Sequence, residues 1–172
     1  MIVGTQKGDL VATLERAIAT PKDERTFYMG HGCNCFVTQG SGIAGQLRRF
    51  PEIFQADVLN ARSGDPLKLG TVSSASFGDD IDANSAVVFN MYTQFSMGTN
   101  ERHVEYAAVA QAVSDVCEEI SAKQMNDVLY LPMIGAGLAG GDWAILYEVI
   151  DRASGGQRVI IVDFEPNTII DW

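Results

Sequence analysis

Basic residues are scarce in this sequence. It has 12 Lys and Arg against 22 Asp and Glu, for a formal net charge of -10, and Arg48-Arg49 is its one adjacent basic pair. Binding to duplex nucleic acid depends on many cations along one face, so the composition argues against DNA or RNA duplexes as the main partner. A small anionic ligand stays possible, because backbone N–H groups at helix starts hold phosphate without side-chain charge.

Cysteines and long apolar runs are also scarce. The three cysteines, Cys33, Cys35 and Cys117, form no spaced framework, which is typical of a reducing compartment. The Cys-x-Cys motif has no second cysteine pair, and His103 has no other histidine or cysteine near it in the sequence at the spacing of metal ligands. We therefore expect no metal site, and we expect the cysteines to be small, buried packing residues. No apolar run approaches the ~18 residues of a membrane span, and the N-terminus does not resemble a signal peptide. We therefore expect a cytoplasmic protein that does not interact with membranes.

Apolar patterning predicts strands that alternate with helices. Predicted strands cover residues 1–6, 26–31, 67–76, 86–93, 127–134 and 158–164. Predicted helices cover residues 42–50, 103–123 and 143–153, and two more begin after Asp9 and at Pro51. The segment between the third and fourth strands is too short for a crossover helix, so these two strands should be antiparallel. Pro132 should end the ladder of the fifth. The order predicts a three-layer α/β/α domain over residues 1–172, with a mixed, mostly parallel sheet.

Two glycine-rich loops follow predicted strands. Gly40-Ser-Gly42-Ile-Ala-Gly45 and Gly135-Ala-Gly137-Leu-Ala-Gly140 both match G-x-G-x-x-G. A dinucleotide-binding fold fits poorly, because the first loop does not follow its strand directly and only nine residues follow Asp163. Each loop could simply close a tight turn. In a parallel sheet, however, both would reach the same edge, and each leads into a helix start, which together would form a cradle for a diphosphate.

Several short motifs resemble those of macro domains, the ADP-ribose-binding fold, over roughly residues 3 to 164. They are Gly8-Asp9-Leu10, His31-Gly-Cys33-Asn34-Cys35, Gly40-Ser-Gly42-Ile43-Ala44, Pro132-Met-Ile134-Gly135-Ala-Gly137 and Trp143. The block HGCNC…GSGIAGQL is most similar to the fungal ADP-ribose-1″-phosphate phosphatase branch of that family.

The resemblance implies a ligand-binding role for each motif. Asp9, beside Leu10, would accept a hydrogen bond from the adenine amino group, and Asn34 would bind the distal ribose. Phe164 would pack against adenine. The pyrophosphate and distal ribose would lie between Gly42, Ile43 and Ala44 on one side and Gly135, Ala136, Gly137 and Leu138 on the other. From the residues alone, Asp9 could instead be a helix cap, Asn34 a turn former and Phe164 a core residue.

Catalysis is a separate question. One macro domain branch uses a lysine at the end of the strand before the long helix and an aspartate in the second glycine loop. Here that strand ends Tyr92-Thr93-Gln94 and the loop position is Ala139. The lysine-dependent removal of ADP-ribose from acidic side chains is therefore not expected. His31 should lie at a strand end and point into the same crevice as Asn34, where an imidazole suits proton transfer or attack on phosphate. It could also merely bond to backbone. We predict a phosphatase acting on ADP-ribose 1″-phosphate, with His31 and Asn34 as catalytic residues and no cofactor. The alternatives are a non-catalytic ADP-ribose reader and an ADP-ribosyl hydrolase acting on modified proteins or nucleic acid.

Overall fold

The computed structural model describes residues 1–20, 25–78, 85–123 and 126–172. Its strands are β1 (Ile2–Gly8), β2 (Phe27–Asn34), β3 (Val72–Phe77), β4 (Ala86–Gln94), β5 (Val128–Pro132) and β6 (Arg158–Phe164). Its helices are α1 (Leu10–Ala19), α2 (Gly42–Leu47), α3 (Pro51–Asn60), α4 (Tyr106–Lys123) and α5 (Trp143–Ala153), with a 3₁₀ turn at Pro66–Lys68. No helix within the described ranges is long and apolar enough to cross a membrane.

One mixed sheet carries the fold, in the order β1-β6-β5-β2-β4-β3. The pairings from β1 to β4 are all parallel, and β3 lies antiparallel to β4, with Val72 opposite Met91 and Phe77 opposite Ala86. The predicted antiparallel pair and the predicted edge strand at the N-terminus are both confirmed. Most of the predicted turn between β3 and β4 lies outside the described residues.

Helices cover both faces of the sheet, which confirms the α/β/α architecture. Tyr28 of β2 packs in the core formed with α4 and α5, whereas Phe27 and Met29 pack in the core formed with α1, α2 and α3. A strand buried on both faces needs apolar residues at successive positions, which explains the continuous apolar runs of β5 and β6.

Element ends differ from the predictions by three residues or more in four places. β2 continues three residues beyond the predicted end at His31, because its ladder with β4 persists to Asn34. The predicted strand at 67–76 begins with the 3₁₀ turn, which Asp65 caps through a hydrogen bond from the Leu67 N–H (2.9 Å), and strand geometry starts at Val72. Helix α4 starts at Tyr106 instead of residue 103, and α2 ends at Leu47 instead of residue 50.

Candidate functional site

A cavity of about 850 Å³ lies at the carboxyl edge of the sheet. Residues at or next to the ends of all five parallel strands line it: Gly8, Asn34, Gln94, Pro132 and Phe164. This edge is where ligands bind in open α/β sheets, and the volume is within the usual range for small-molecule sites. The two glycine loops border the same cavity, as predicted.

The first glycine loop turns directly into helix α2. Gly42 has a φ of +57°, a conformation that favours glycine, and a side chain added there would enter open space. Ile43 and Ala44 also line the cavity. The first N–H groups of a helix have no intrahelical acceptor, and the Gly45 N–H is the first to find one, on the Ser41 carbonyl at 3.0 Å. Among the described residues, the N–H groups of Gly42, Ile43 and Ala44 have no acceptor, so they can donate to a ligand.

The second glycine loop is closed by its own hydrogen bonds. Gly141 N–H donates to the Gly135 carbonyl (2.8 Å), and Gly140 N–H donates to the Gly137 carbonyl (3.0 Å). Gly135, Gly137 and Leu138 line the cavity. Among the described residues, the N–H groups of Gly137 and Leu138 have no acceptor, so they can donate to an anionic ligand.

Two parts of the second loop lie outside the cavity lining, in contrast to the sequence-based expectation. Ala136 does not line the cavity, because its side chain packs against the core under α4 and α5 and its N–H donates to the Met133 carbonyl at 3.2 Å. The start of α5 does not reach the cavity either, since neither Asp142 nor Trp143 lines it. Asp142 caps α5 through the Ala144 N–H at 2.8 Å. The cavity is thus bordered by one helix start, that of α2, and by the backbone turn of the second glycine loop.

Asp9 is buried at the cavity wall and caps α1. Its Oδ1 accepts from the N–H groups of Val11 (3.0 Å) and Ala12 (3.1 Å), and its Oδ2 accepts from the N–H of Asn167 (3.2 Å). A carboxylate has about four acceptor positions, so one remains for a ligand. The helix cap and a binding role are therefore compatible in this geometry.

Asn34 lines the cavity but is also largely committed to its own turn. Its Oδ1 accepts from the Phe36 N–H (2.8 Å) and the Thr38 hydroxyl (3.1 Å), while its Nδ2 donates to the Thr38 carbonyl (3.0 Å). Both lone pairs are used and one of the two N–H bonds is free. Toward a ligand, Asn34 can act only as a donor.

Phe164 and Leu10 flank the outer part of the cavity. Phe164 is 62% exposed at the end of β6, whereas Leu10 is buried at the start of α1. An aromatic face that the core does not cover is available for stacking on a flat ligand. Phe164 is therefore not the core residue that the sequence allowed.

His31 does not point into the cavity, which corrects the sequence-based placement. The residue is fully buried in β2 and is not among the lining residues. Its Nε2 lies 2.8 Å from Oδ1 of Asn90, whose Nδ2 donates to the Ile53 carbonyl (3.0 Å) and to Ser73 Oγ (3.1 Å). Because these contacts fix the Asn90 amide, with its oxygen toward His31, the Nε2 of His31 is the donor in this hydrogen bond. The predicted strand end was three residues too early.

Burial lowers the pKa of His31 to about 4, and the Asn90 hydrogen bond only partly opposes this shift. The unfolded chain, with a pKa near 6.5, therefore binds this proton more readily than the folded chain. The contribution of His31 to the free energy of unfolding is complete above about pH 6.5 and is lost as the pH falls toward 4.

Between about pH 7.5 and pH 5, His31 should account for a loss of about 2 kcal/mol in the free energy of unfolding. Urea unfolding at both pH values, in wild type and His31→Gln, measures it. Equal losses in the two proteins would contradict the assignment.

Two polar residues at the cavity wall were not predicted. Gln39 and Asp57 both line the cavity and are buried, and Gln39 Nε2 donates to Asp57 Oδ2 at 3.1 Å. Lys68 balances the charge of Asp57 from 2.7 Å. The burial of Asp57 could have been predicted, because it lies four residues after Ile53 and therefore on the same buried face of α3. No sequence pattern shows that Gln39 or Lys68 contacts Asp57.

The cysteines are free and buried, as expected for packing residues. Burial raises the pKa of the Cys33 thiol well above its usual range. Within the part of the chain that the structure describes, no group of three or more His, Cys, Asp or Glu side chains could hold a metal ion. The polar side chains that line the cavity include those of Asn34, Gln39, Asp9 and Asp57.

Comparison with known proteins gives a relative and a fold. No protein-family model matches the sequence. The chain is 40% identical over 167 residues to the "Uncharacterized 17.5 kDa protein in tk-vs intergenic region" of Enterobacteria phage T4, an alignment that covers 96% of this chain and 99% of the phage protein. The macrodomain of Thermus aquaticus DarG superposes with a TM-score of 0.65 at 20% identity, covering 95% and 98% of the two chains. Thermosipho africanus DarTG, solved in complex with ADP-ribose, gives a TM-score of 0.61 at 17% identity, over 85% of this chain and 39% of that one.

Proposed function

Since this chain belongs to the same family as the 17.5 kDa phage T4 protein and has the macro domain fold, we propose that it binds ADP-ribose in the cavity at the carboxyl edge of the sheet. The observation that carries the proposal is the meeting of both glycine loops at one cavity, since each loop has backbone N–H groups without an acceptor among the described residues. Thermosipho DarTG, which shares the fold, was solved with this ligand.

Sheet order supports one direction for the ligand. Asp9 follows β1, and Phe164 ends the neighbouring strand β6. The two glycine loops follow β5 and β2, and Asn34 ends β2 beside β4. Adenine would lie against Asp9 and Phe164, the pyrophosphate between the loops, and the distal ribose near Asn34. Each part of ADP-ribose would then meet groups of matching chemistry.

Backbone donors would hold the pyrophosphate without a cationic side chain. Among the described residues that line the cavity, none is a lysine, arginine or histidine. Partly buried N–H groups that point at a phosphate can replace cationic side chains. Binding should therefore depend on the shape of the two loops more than on charge, which is consistent with the acidic composition.

Titration calorimetry with ADP-ribose and AMP tests the proposal. ADP-ribose should bind at least about tenfold more tightly than AMP, because only a diphosphate with a sugar beyond it can contact both loops and Asn34. Equal affinities would mean that the two loops do not form a common cradle.

Hydrolysis of ADP-ribose 1″-phosphate is the finer part of the proposal and has less support. His31 lies behind the cavity wall, and no cationic side chain lines the described cavity to meet a second phosphate group. The positions that correspond to the lysine-dependent branch are Gln94 and Ala139, and both line the cavity. These observations favour the alternative of an ADP-ribose reader over both the phosphatase and a hydrolase of modified proteins or nucleic acid.

A phosphate-release assay with ADP-ribose 1″-phosphate separates these functions. Release by wild type would establish a phosphatase, and His31→Ala would then show whether His31 contributes from its buried position. Binding of ADP-ribose without release would support the reader. A cytoplasmic location remains part of the proposal and is consistent with three free cysteines.

A further inference from the structure

The segment that follows β6, residues 165–172, packs along the start of α1. The Glu165 N–H donates to the Gly8 carbonyl (2.9 Å), and the Asp9 N–H donates to the Thr168 carbonyl (2.7 Å). Gly8 and Asp9 line the cavity, whereas no residue of the segment does. The segment therefore supports this part of the cavity wall without forming the surface that a ligand would contact.

Ile170 anchors the segment against the end of β1. Its side chain is 4% exposed, and it fills the space beside Gly8 so closely that a Cβ added to that glycine would overlap Ile170 Cγ2. Its N–H donates to the Thr13 hydroxyl (3.2 Å), which in turn donates to the Asp9 carbonyl (2.8 Å). One apolar contact and two buried hydrogen bonds thus hold the segment against Asp9.

Asn167 is the residue of this segment that reaches the Asp9 carboxylate. Its φ of +58° is in the left-handed region, which asparagine adopts more readily than most residues. Its N–H donates to Asp9 Oδ2, while Oδ1 accepts from the start of α1. The terminal torsion of an aspartate is broad, so hydrogen bonds to both oxygens are needed to fix the plane of the carboxylate. With both oxygens held, the remaining lone pair has one direction.

We propose that Asn167 and Ile170 are positioning residues that set the preference of the cavity for the base of its ligand, by fixing the Asp9 carboxylate. The inference rests on the proposed binding of ADP-ribose. Adenine presents an amino group, which donates, where hypoxanthine has a carbonyl oxygen, which only accepts. A lone pair fixed toward that position favours adenine and opposes hypoxanthine. A carboxylate that is free to turn could instead accept from the ring N–H of hypoxanthine, so releasing the segment should weaken the preference.

The first test compares Ile170→Ala with Ile169→Ala, a matched control because Ile169 is 46% exposed and does not line the cavity. The ligands are ADP-ribose and inosine diphosphate ribose, in which hypoxanthine replaces adenine. Calorimetry should show that wild type and Ile169→Ala prefer ADP-ribose by about tenfold or more. In Ile170→Ala the preference should fall to about threefold or less.

A purely structural role for Ile170 predicts a different result. Ile170→Ala would then have a lower melting temperature, or would bind both ligands more weakly by the same factor, and the ratio of the two affinities would stay as in wild type. Either outcome overturns the proposal. Equal affinity of wild type for the two ligands would also overturn it, whereas failure of wild type to bind ADP-ribose at all would instead reject the proposed function.

The second test acts on the Asn167 N–H and decides the question if Ile170→Ala does not fold. Asn167→Pro removes this N–H, and proline cannot adopt a positive φ, so the turn is released. The conservative variant Asn167→Gly keeps the N–H and tolerates the φ of +58°. The preference for ADP-ribose should be lost in Asn167→Pro and retained in Asn167→Gly. The same preference in both variants would overturn the proposal.

Discussion

Gly137→Val should weaken ADP-ribose binding by about 100-fold or more while the protein remains folded. Gly137 lines the cavity, and a Cβ added there would meet nothing within 4 Å, so the valine side chain would enter the space that the ligand needs. Its φ is not in the left-handed region, so the substitution brings no backbone strain of that kind. The loss should therefore be steric and confined to the ligand. Titration calorimetry measures it.

Gly156→Val is the matched control. Gly156 also has open space around its Cβ position and no positive φ, but it lies between α5 and β6, away from the cavity. The Gly156→Val variant should bind ADP-ribose as tightly as wild type. Gly42→Val should also abolish binding, although its φ of +57° adds strain that makes it a less direct test. Normal binding by both Gly137→Val and Gly42→Val would place the ligand site elsewhere.

Local patterns were sufficient to predict most of the fold. The helical spacing of Val109, Val113, Val116 and Ile120 predicted α4, and all four residues are buried in the core. The continuous apolar run of β6 gave its bounds correctly. In contrast, the end of β2 depends on β4, because Gly32, Cys33 and Asn34 remain in the sheet through pairing with residues that are about 60 positions away. The end of β2 therefore cannot be deduced from the β2 sequence alone.

The same distinction explains which site residues could be predicted. The glycine loops carry their geometry in their own sequence, so their place at the cavity was predictable. The position of His31 depended on where β2 ends and on Asn90, which is 59 residues away. The cluster of Gln39, Asp57 and Lys68 joins a loop, a helix and a 3₁₀ turn. Such side-chain contacts between distant segments leave no periodic pattern in the sequence.

Asp9→Ala should weaken ADP-ribose binding by about tenfold to 100-fold, and it should also lower stability. The binding loss follows from removing the one acceptor position that remains on the carboxylate, since a hydrogen bond to a charged group contributes roughly 1.5–3 kcal/mol. The stability loss follows from the helix cap, about 1 kcal/mol, together with the contact to Asn167. Calorimetry and thermal melting measure the two effects separately.

Asp142→Ala separates the two roles of such a carboxylate. Asp142 caps α5 as Asp9 caps α1, but it is exposed and does not line the cavity. Its replacement should lower the melting temperature without changing the affinity for ADP-ribose. If Asp9→Ala behaved in the same way, with reduced stability and full affinity, Asp9 would be a helix cap only. A loss of affinity confined to Asp9→Ala would support a direct contact between the ligand and the remaining oxygen lone pair of Asp9, because every other lone pair of that carboxylate is already occupied by a backbone N–H.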